Sequence, residues 1–218
     1  MKQIIIGKQE SHRLLLFFNG WGMDFHPFVS LKEPDRDFLC CYDYRDLTFD
    51  TEMLSRYQEI EVVAWSLGVW VANKVLAEQH LPVCSSTAIN GTLTPIHEEQ
   101  GIPAAIFQGT IDHLDERGLR KFQRRMCQSA DDFQSFLKVA PQREAAELKE
   151  ELICLQESIT LHPDTPIGHW DKVYIGLNDR IFPAENQKKA WESLVPIRLI
   201  PEGHYCPELF KQLTHHDQ

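Results

Sequence analysis

A serine hydroxyl is a weak nucleophile near neutral pH, and it becomes useful only beside a base that is itself oriented by an acid. One serine of this 218-residue chain stands where such chemistry can be done: in IEVVAWSLGVWVANKVLAEQ, residues 60–79, an apolar run suited to a strand passes through Ser66 straight into a helical run. Ala64 and Gly68 flank it two residues away on either side. In a nucleophile elbow those positions must be small, because the chain doubles back around a strained turn that lifts the hydroxyl clear of the sheet. Small-x-Ser-x-Gly is common by itself. The strand before it and the helix after it favour a nucleophile over a chance pentapeptide.

The order serine, acid, histidine then asks for a carboxylate after a late strand and an imidazole after the last one. KVYIGLNDRIFP places Asp179 in the turn after an apolar run, and PIRLIPEGHYCPEL places His204 in the loop after the final run. His204 is chosen from ten histidines. His12, His80 and His97 read as surface positions, and His215 and His216 lie in a polar tail. His169 in PIGHWDK is the rival, but it precedes the acid. Asp164 and Asp171 compete with Asp179, although neither follows a strand; the plainer reading of Asp179 is a helix-capping turn residue.

An acyl-transfer site also needs donors for the developing oxyanion. Leu67, heading the helix after Ser66, supplies one backbone N–H. LLLFFNGWGMD runs a strand into Asn19-Gly20-Trp21-Gly22, a tight loop from which the Trp21 N–H is the expected second donor. A turn whose tryptophan merely fills the core is the alternative.

The elements that must position these groups are short apolar runs at 4–7, 14–19, 37–44, 61–65, 83–90, 172–176 and 196–201, separated in the later chain by helical stretches near 51–58, 67–79, 184–193 and 205–213. Runs apolar on both faces and alternating with helices predict an α/β fold: a mostly parallel central sheet with helices on both faces. Between 91 and 170 no strand is evident. Leu119, Phe122 and Met126 form one helical stripe there, and Leu148, Leu152, Leu155 and Ile159 another. The expected organisation is a core of residues 1–90 and 171–218 with an inserted helical cap at 91–170.

Composition narrows the function. A formal charge of −10 argues against nucleic-acid binding. Six cysteines without CxxC spacing suit a reduced, cytoplasmic chain without a zinc site. No apolar run approaches the roughly 20 residues that cross a bilayer, so a cytoplasmic location is expected.

GWG after the early strand together with WSLG at the elbow resembles the pimeloyl-[acyl-carrier protein] methyl ester esterases of biotin synthesis, which are α/β hydrolases. The NGWG start, AINGTLTPI and GIPAAIFQGTIDHLDERGLRKFQRRM are similar to the compact BioG form of that family. Asn19 stands where relatives often carry a histidine, and Ala64 where the elbow glycine would be. The resemblance implies a cytoplasmic carboxylesterase, without metal or organic cofactor, that removes the methyl group from the distal carboxyl of a pimeloyl chain on acyl carrier protein. Arg117, Arg120, Lys121, Arg124 and Arg125 put five cations within nine residues of an acidic chain. Such a patch suits docking of an acidic carrier, or else is a solvated face balanced by Asp115 and Glu116. Phe122 and Met126 could line an acyl channel or pack under the cap. The rival activities are a carrier thioesterase or a lyase using the same triad, and, outside enzymes, a ligand-binding hydrolase fold without turnover.

Overall fold

The computed structural model describes residues 1–7, 10–77, 79–163 and 168–214. Asp164, His215 and His216, weighed above, lie outside the described residues. Seven strands form one sheet: β1 Lys2–Ile6, β2 Arg13–Phe18, β3 Asp37–Tyr42, β4 Glu59–Trp65, β5 Val83–Ile89, β6 Lys172–Gly176 and β7 Ile197–Ile200. Their order is β1-β3-β2-β4-β5-β6-β7. β1 runs antiparallel to β3, and every other neighbouring pair is parallel. The result is an α/β-hydrolase-type sheet, as the alternation of strand and helix predicts.

Burial follows position in the sheet. Leu14–Phe18 of β2 and all of β3 are buried, as strands covered on both faces must be. β1, at the edge, buries only part of each residue. Helices α1 Leu67–Leu76, α6 Ala184–Trp191 and α7 Pro207–Thr214 follow β4, β6 and β7. The helix expected at 51–58 is only a 3-10 turn over Glu52–Leu54. Leu54 and Tyr57 are buried there, but Tyr57 Oη donates to Asp37 Oδ2 and Gln58 N already bonds to His12 O at the start of the sheet, which leaves no room for further turns. A 3-10 segment, His26–Leu31, also lies between β2 and β3.

Four helices occupy the interval between β5 and β6: α2 Ala104–Asp112, α3 Glu116–Met126, α4 Ala130–Leu137 and α5 Ala145–Leu161. α3 and α4 start on side-chain caps, with Asp115 accepting from Gly118 N and Ser129 from Asp132 N. Leu148, Leu152 and Leu155 face inward from α5, so the stripe read from sequence is the packed face. Among the described residues no helix is long and apolar enough to cross a membrane.

Candidate active site

Parallel strands gather their following loops at one edge of the sheet, where open α/β sheets bind ligands. The loops after β2, β4, β6 and β7 carry Trp21, Ser66, Asp179 and His204 respectively. Ser66 has φ 60° and ψ −131°, a backbone that a side-chain-bearing residue adopts only at a cost of order 1–3 kcal/mol. Its surroundings enforce the turn. A Cβ on Gly68 would stand 2.5 Å from Phe18 O, so only glycine lets α1 pass this close to β2.

His204 bridges the other two groups. Its Nε2 lies 2.9 Å from Ser66 Oγ and its Nδ1 lies 2.8 Å from Asp179 Oδ2. All three side chains are buried, His204 at 1% exposure, so water competes little for these bonds. The two readings of Asp179 coexist: Oδ1 accepts from Ile181 N and Phe182 N and caps the turn, while Oδ2 faces the histidine and also accepts from Gln187 Nε2. The rival His169 is exposed and pairs with Asp171, just before β6 at the opposite edge of the sheet.

Several supports were not singled out in the sequence. Asn90, at φ 47° just past β5, donates to Gly203 O and His204 O and accepts from Gly176 N, which fastens the histidine loop to the acid's strand. Trp65 Nε1 donates to His204 O, and the Phe182 ring stacks on the imidazole. The signal for Asn90 is the Asn-Gly pair directly after a strand. Cys206 is fully buried beside Asn90 and the His204 carbonyl, and burial pushes its thiol well above the ordinary range.

Leu67 is the first residue of α1, so its N–H has no intrahelical acceptor. The NGWG loop closes on the nucleophile: a Cβ on Gly20 would stand 3.0 Å from Ser66 Cβ. The Trp21 N–H belongs to the peptide directly after Gly20 in this loop. The Trp21 indole is held away from solvent by donating to Leu148 O of α5. Asn19 Nδ2 donates to Asp24 O across the loop.

Trp21, Ser66, Leu67, Phe107, Phe122 and Arg125 are among the residues around a narrow, largely apolar cleft. Phe122 sits edge-on to Trp21. Met126 corrects the expectation placed on it: its side chain is buried at 1% exposure and does not line the cleft, while its carbonyl accepts from Tyr205 N of the histidine loop. Arg117, Arg120, Lys121 and Arg125 are exposed and Arg124 is half-buried; Arg125 differs from the rest by also forming the cleft wall. Partial burial lowers the Arg125 pKa, opposed by the nearby Asp179 charge. Arg120 and Arg124 lie over the Phe133 ring. Among the described residues no group of three or more His, Cys, Asp or Glu is arranged to hold a metal ion.

The family described as pimeloyl-ACP methyl esterase BioG matches residues 1–218. The chain belongs to the BioG family. BioG from Haemophilus influenzae, known from a crystal structure, is 37% identical and superposes with a TM-score of 0.88 over 97% of either chain. A Bacteroides fragilis protein named malonyl-[acyl-carrier protein] O-methyltransferase is 48% identical over 200 residues; the match takes in 91% of this BioG-family chain but 40% of that relative's length. An esterase from Exiguobacterium antarcticum, 14% identical with a TM-score of 0.65 over 98% of this chain and 91% of its own, shares the fold.

Proposed function

We propose that this chain is a serine carboxylesterase that hydrolyses the methyl ester at the distal carboxyl of a pimeloyl chain carried on acyl carrier protein, releasing methanol and leaving the carrier thioester intact. The carrying observation is His204 held between Ser66 Oγ and Asp179 Oδ2 at 2.9 and 2.8 Å, beside an apolar cleft, in a chain that the BioG family spans throughout. The name of the Bacteroides relative supports the substrate class, since a methyltransferase acting on a carrier-bound dicarboxylate forms the kind of ester that an esterase opens.

In the first step His204 takes the Ser66 proton as Oγ attacks the ester carbonyl, and the Leu67 and Trp21 N–H groups receive the oxyanion. Collapse expels methanol, which takes its proton from His204. Water then enters, gives a proton to the same imidazole and attacks the acyl-enzyme; collapse returns that proton to Ser66 and frees the acid. Asp179 stays ionised and holds the ring with Nε2 toward the serine. Phe122 and Trp21 offer apolar surface to the chain, and the cations of α3 offer an acidic carrier its docking face.

The test is methyl-pimeloyl carrier incubated with the chain and followed by mass. Methanol with a carrier that keeps its acyl chain supports the reading, whereas free carrier thiol would identify a thioesterase. Ser66→Ala should bind the carrier and release no methanol. A fluorophosphonate that fails to label Ser66 in the parent chain would instead favour ligand binding without turnover.

A further inference from the structure

A buried glutamine must satisfy two N–H donors and a carbonyl, so an apolar side chain of its size is the more stable choice unless the amide has a task. Gln187, in the middle of α6, is fully buried at 0% exposure. Its Nε2 donates to Asp179 Oδ2 at 3.1 Å and to Phe182 O at 2.8 Å, while its Oε1 is buried without a hydrogen-bond partner among the described residues. These partners fix the orientation of the amide. Turned over, it would set its oxygen against two acceptors and give up both bonds. A carbonyl left bare in the interior is unfavourable, so the donors are what the position provides.

The helix holds that amide in place. Trp191, one turn on from Gln187 along the same face, is also fully buried and donates through Nε1 to Gly91 O. Asn186 Nδ2 donates to Glu98 O and Gly101 O, so α6 is fastened to the chain that follows β5. The charged residues of α6 have other partners: Lys188 pairs with Glu185, and Lys189 with Glu99. Asp179 Oδ1 accepts from Ile181 N and Phe182 N, and Oδ2 faces His204 Nδ1. Gln187 supplies the fourth donor, which fills the acceptor sites of an ionised carboxylate. Arg125 of α3 and Cys206 also bear on Asp179 electrostatically, and Arg180 beside it is exposed.

We propose that Gln187 is a positioning residue for the triad: its amide fixes the rotation of the Asp179 carboxylate and stabilises the ionised form, and thereby sets the tautomer and basicity of His204. The proposal rests on the serine-esterase reading above and names a group that tunes it. A hydrogen bond to an ionised carboxyl favours that form and draws charge from its oxygen. Without the Gln187 donor, Oδ2 holds a protonated imidazole more tightly, so His204 becomes available as a base only at higher pH. The carboxylate, held then at Oδ1 and by the imidazole itself, also loses the contact that fixes the direction of Oδ2.

The experiment follows the rate of Ser66 labelling by a fluorophosphonate and methanol release from methyl-pimeloyl carrier, across about pH 5 to 9, in the parent, Gln187→Met and Gln187→Glu. Gln187→Met keeps the volume and the helix propensity while removing the donor and the bare oxygen. Labelling rate and kcat should both fall about tenfold to a hundredfold, the worth of one hydrogen bond to a charged group. The acid limb should move to higher pH, and KM should change little. Gln187→Glu donates to Oδ2 only while its carboxyl is protonated, and once ionised it repels Asp179. Its rate relative to the parent should therefore fall as pH rises. A glutamine that served only packing would cost stability and leave the acid limb where it is. Gln187→Met with the parent's rate and acid limb overturns the proposal. So does a ratio of Gln187→Glu to parent that does not vary with pH, which decides the matter even where Gln187→Met folds poorly. A parent that labels but releases no methanol overturns the carrier-ester reading alone, and the labelling rates still test Gln187.

Discussion

Each residue near Ser66 performs more than one task, and substitutions should separate them. Asp179 divides its oxygens between a turn and an imidazole. Asp179→Asn retains an acceptor for the turn but can present an N–H to Nδ1, favouring the wrong tautomer; kcat should fall on the order of 10⁴-fold, measured by methanol release, with little loss of thermal stability. Gly20→Ala tests the loop rather than the triad. Its Cβ would press on the Trp65 ring at 2.9 Å and on Ser66 Cβ at 3.0 Å, displacing the peptide that carries the Trp21 N–H. Loss of one oxyanion donor is worth on the order of 10²–10³ in turnover, so kcat should drop by that factor while KM changes little.

Among the elements, α5 has the widest reach, because it fastens the helical interval between β5 and β6 to the NGWG loop. Arg143, just before the helix and 4% exposed, pairs with Glu151 at 2.7 Å and donates to Met23 O, while Gln142 N donates to Asp24 Oδ2. Glu151, at 1% exposure, accepts from Tyr44 N, and Tyr44 Oη donates to Asn19 O at the start of the same loop. With the Trp21–Leu148 bond, these contacts tie α5 to both ends of the donor loop. Removing one partner of a buried pair typically costs about 3–5 kcal/mol. Glu151→Ala should therefore lower stability by about 3 kcal/mol in denaturant titration, toward the low end because Asp43 and Glu147 also neutralise Arg143. Residual kcat should fall more than KM rises, since the loop loses its support.

The whole molecule responds to pH and salt through charges at the same seam. Burial alone would push the Asp43 carboxyl up, but hydrogen bonds from Arg45 and Lys2 and the Arg143 charge outweigh it and hold the carboxyl well below its usual range. A carboxyl depressed on folding contributes stability that is complete above its unfolded pKa of about 4 and is lost as pH falls through the folded value. Thermal unfolding compared between pH 7 and pH 3 should therefore show Asp43→Asn less stable than the parent at neutral pH and the difference shrinking in acid. Glu151, which burial pushes up, acts in the opposite sense, so the difference between variant and parent is the quantity to follow. Salt should raise KM for the carrier ester but not for a short methyl ester, because screening acts on the exposed α3 cations.

The sequence by itself determined the seven strands, the helical interval between β5 and β6, and the candidate serine, acid and histidine. Each follows from local pattern: apolar runs of strand length, small residues around a forced turn, and loops following strands. It did not yield the short turn at Glu52–Leu54, the exclusion of Met126 from the cleft, the Asn90 fastening or the buried pair of Arg143 and Glu151. These depend on groups far apart in the chain, such as Tyr44 meeting Glu151 or Asn90 meeting His204. Local periodicity places a residue on a helix face or strand end, but only the packing of one element on another decides whether that face meets ligand, solvent or a buried charge.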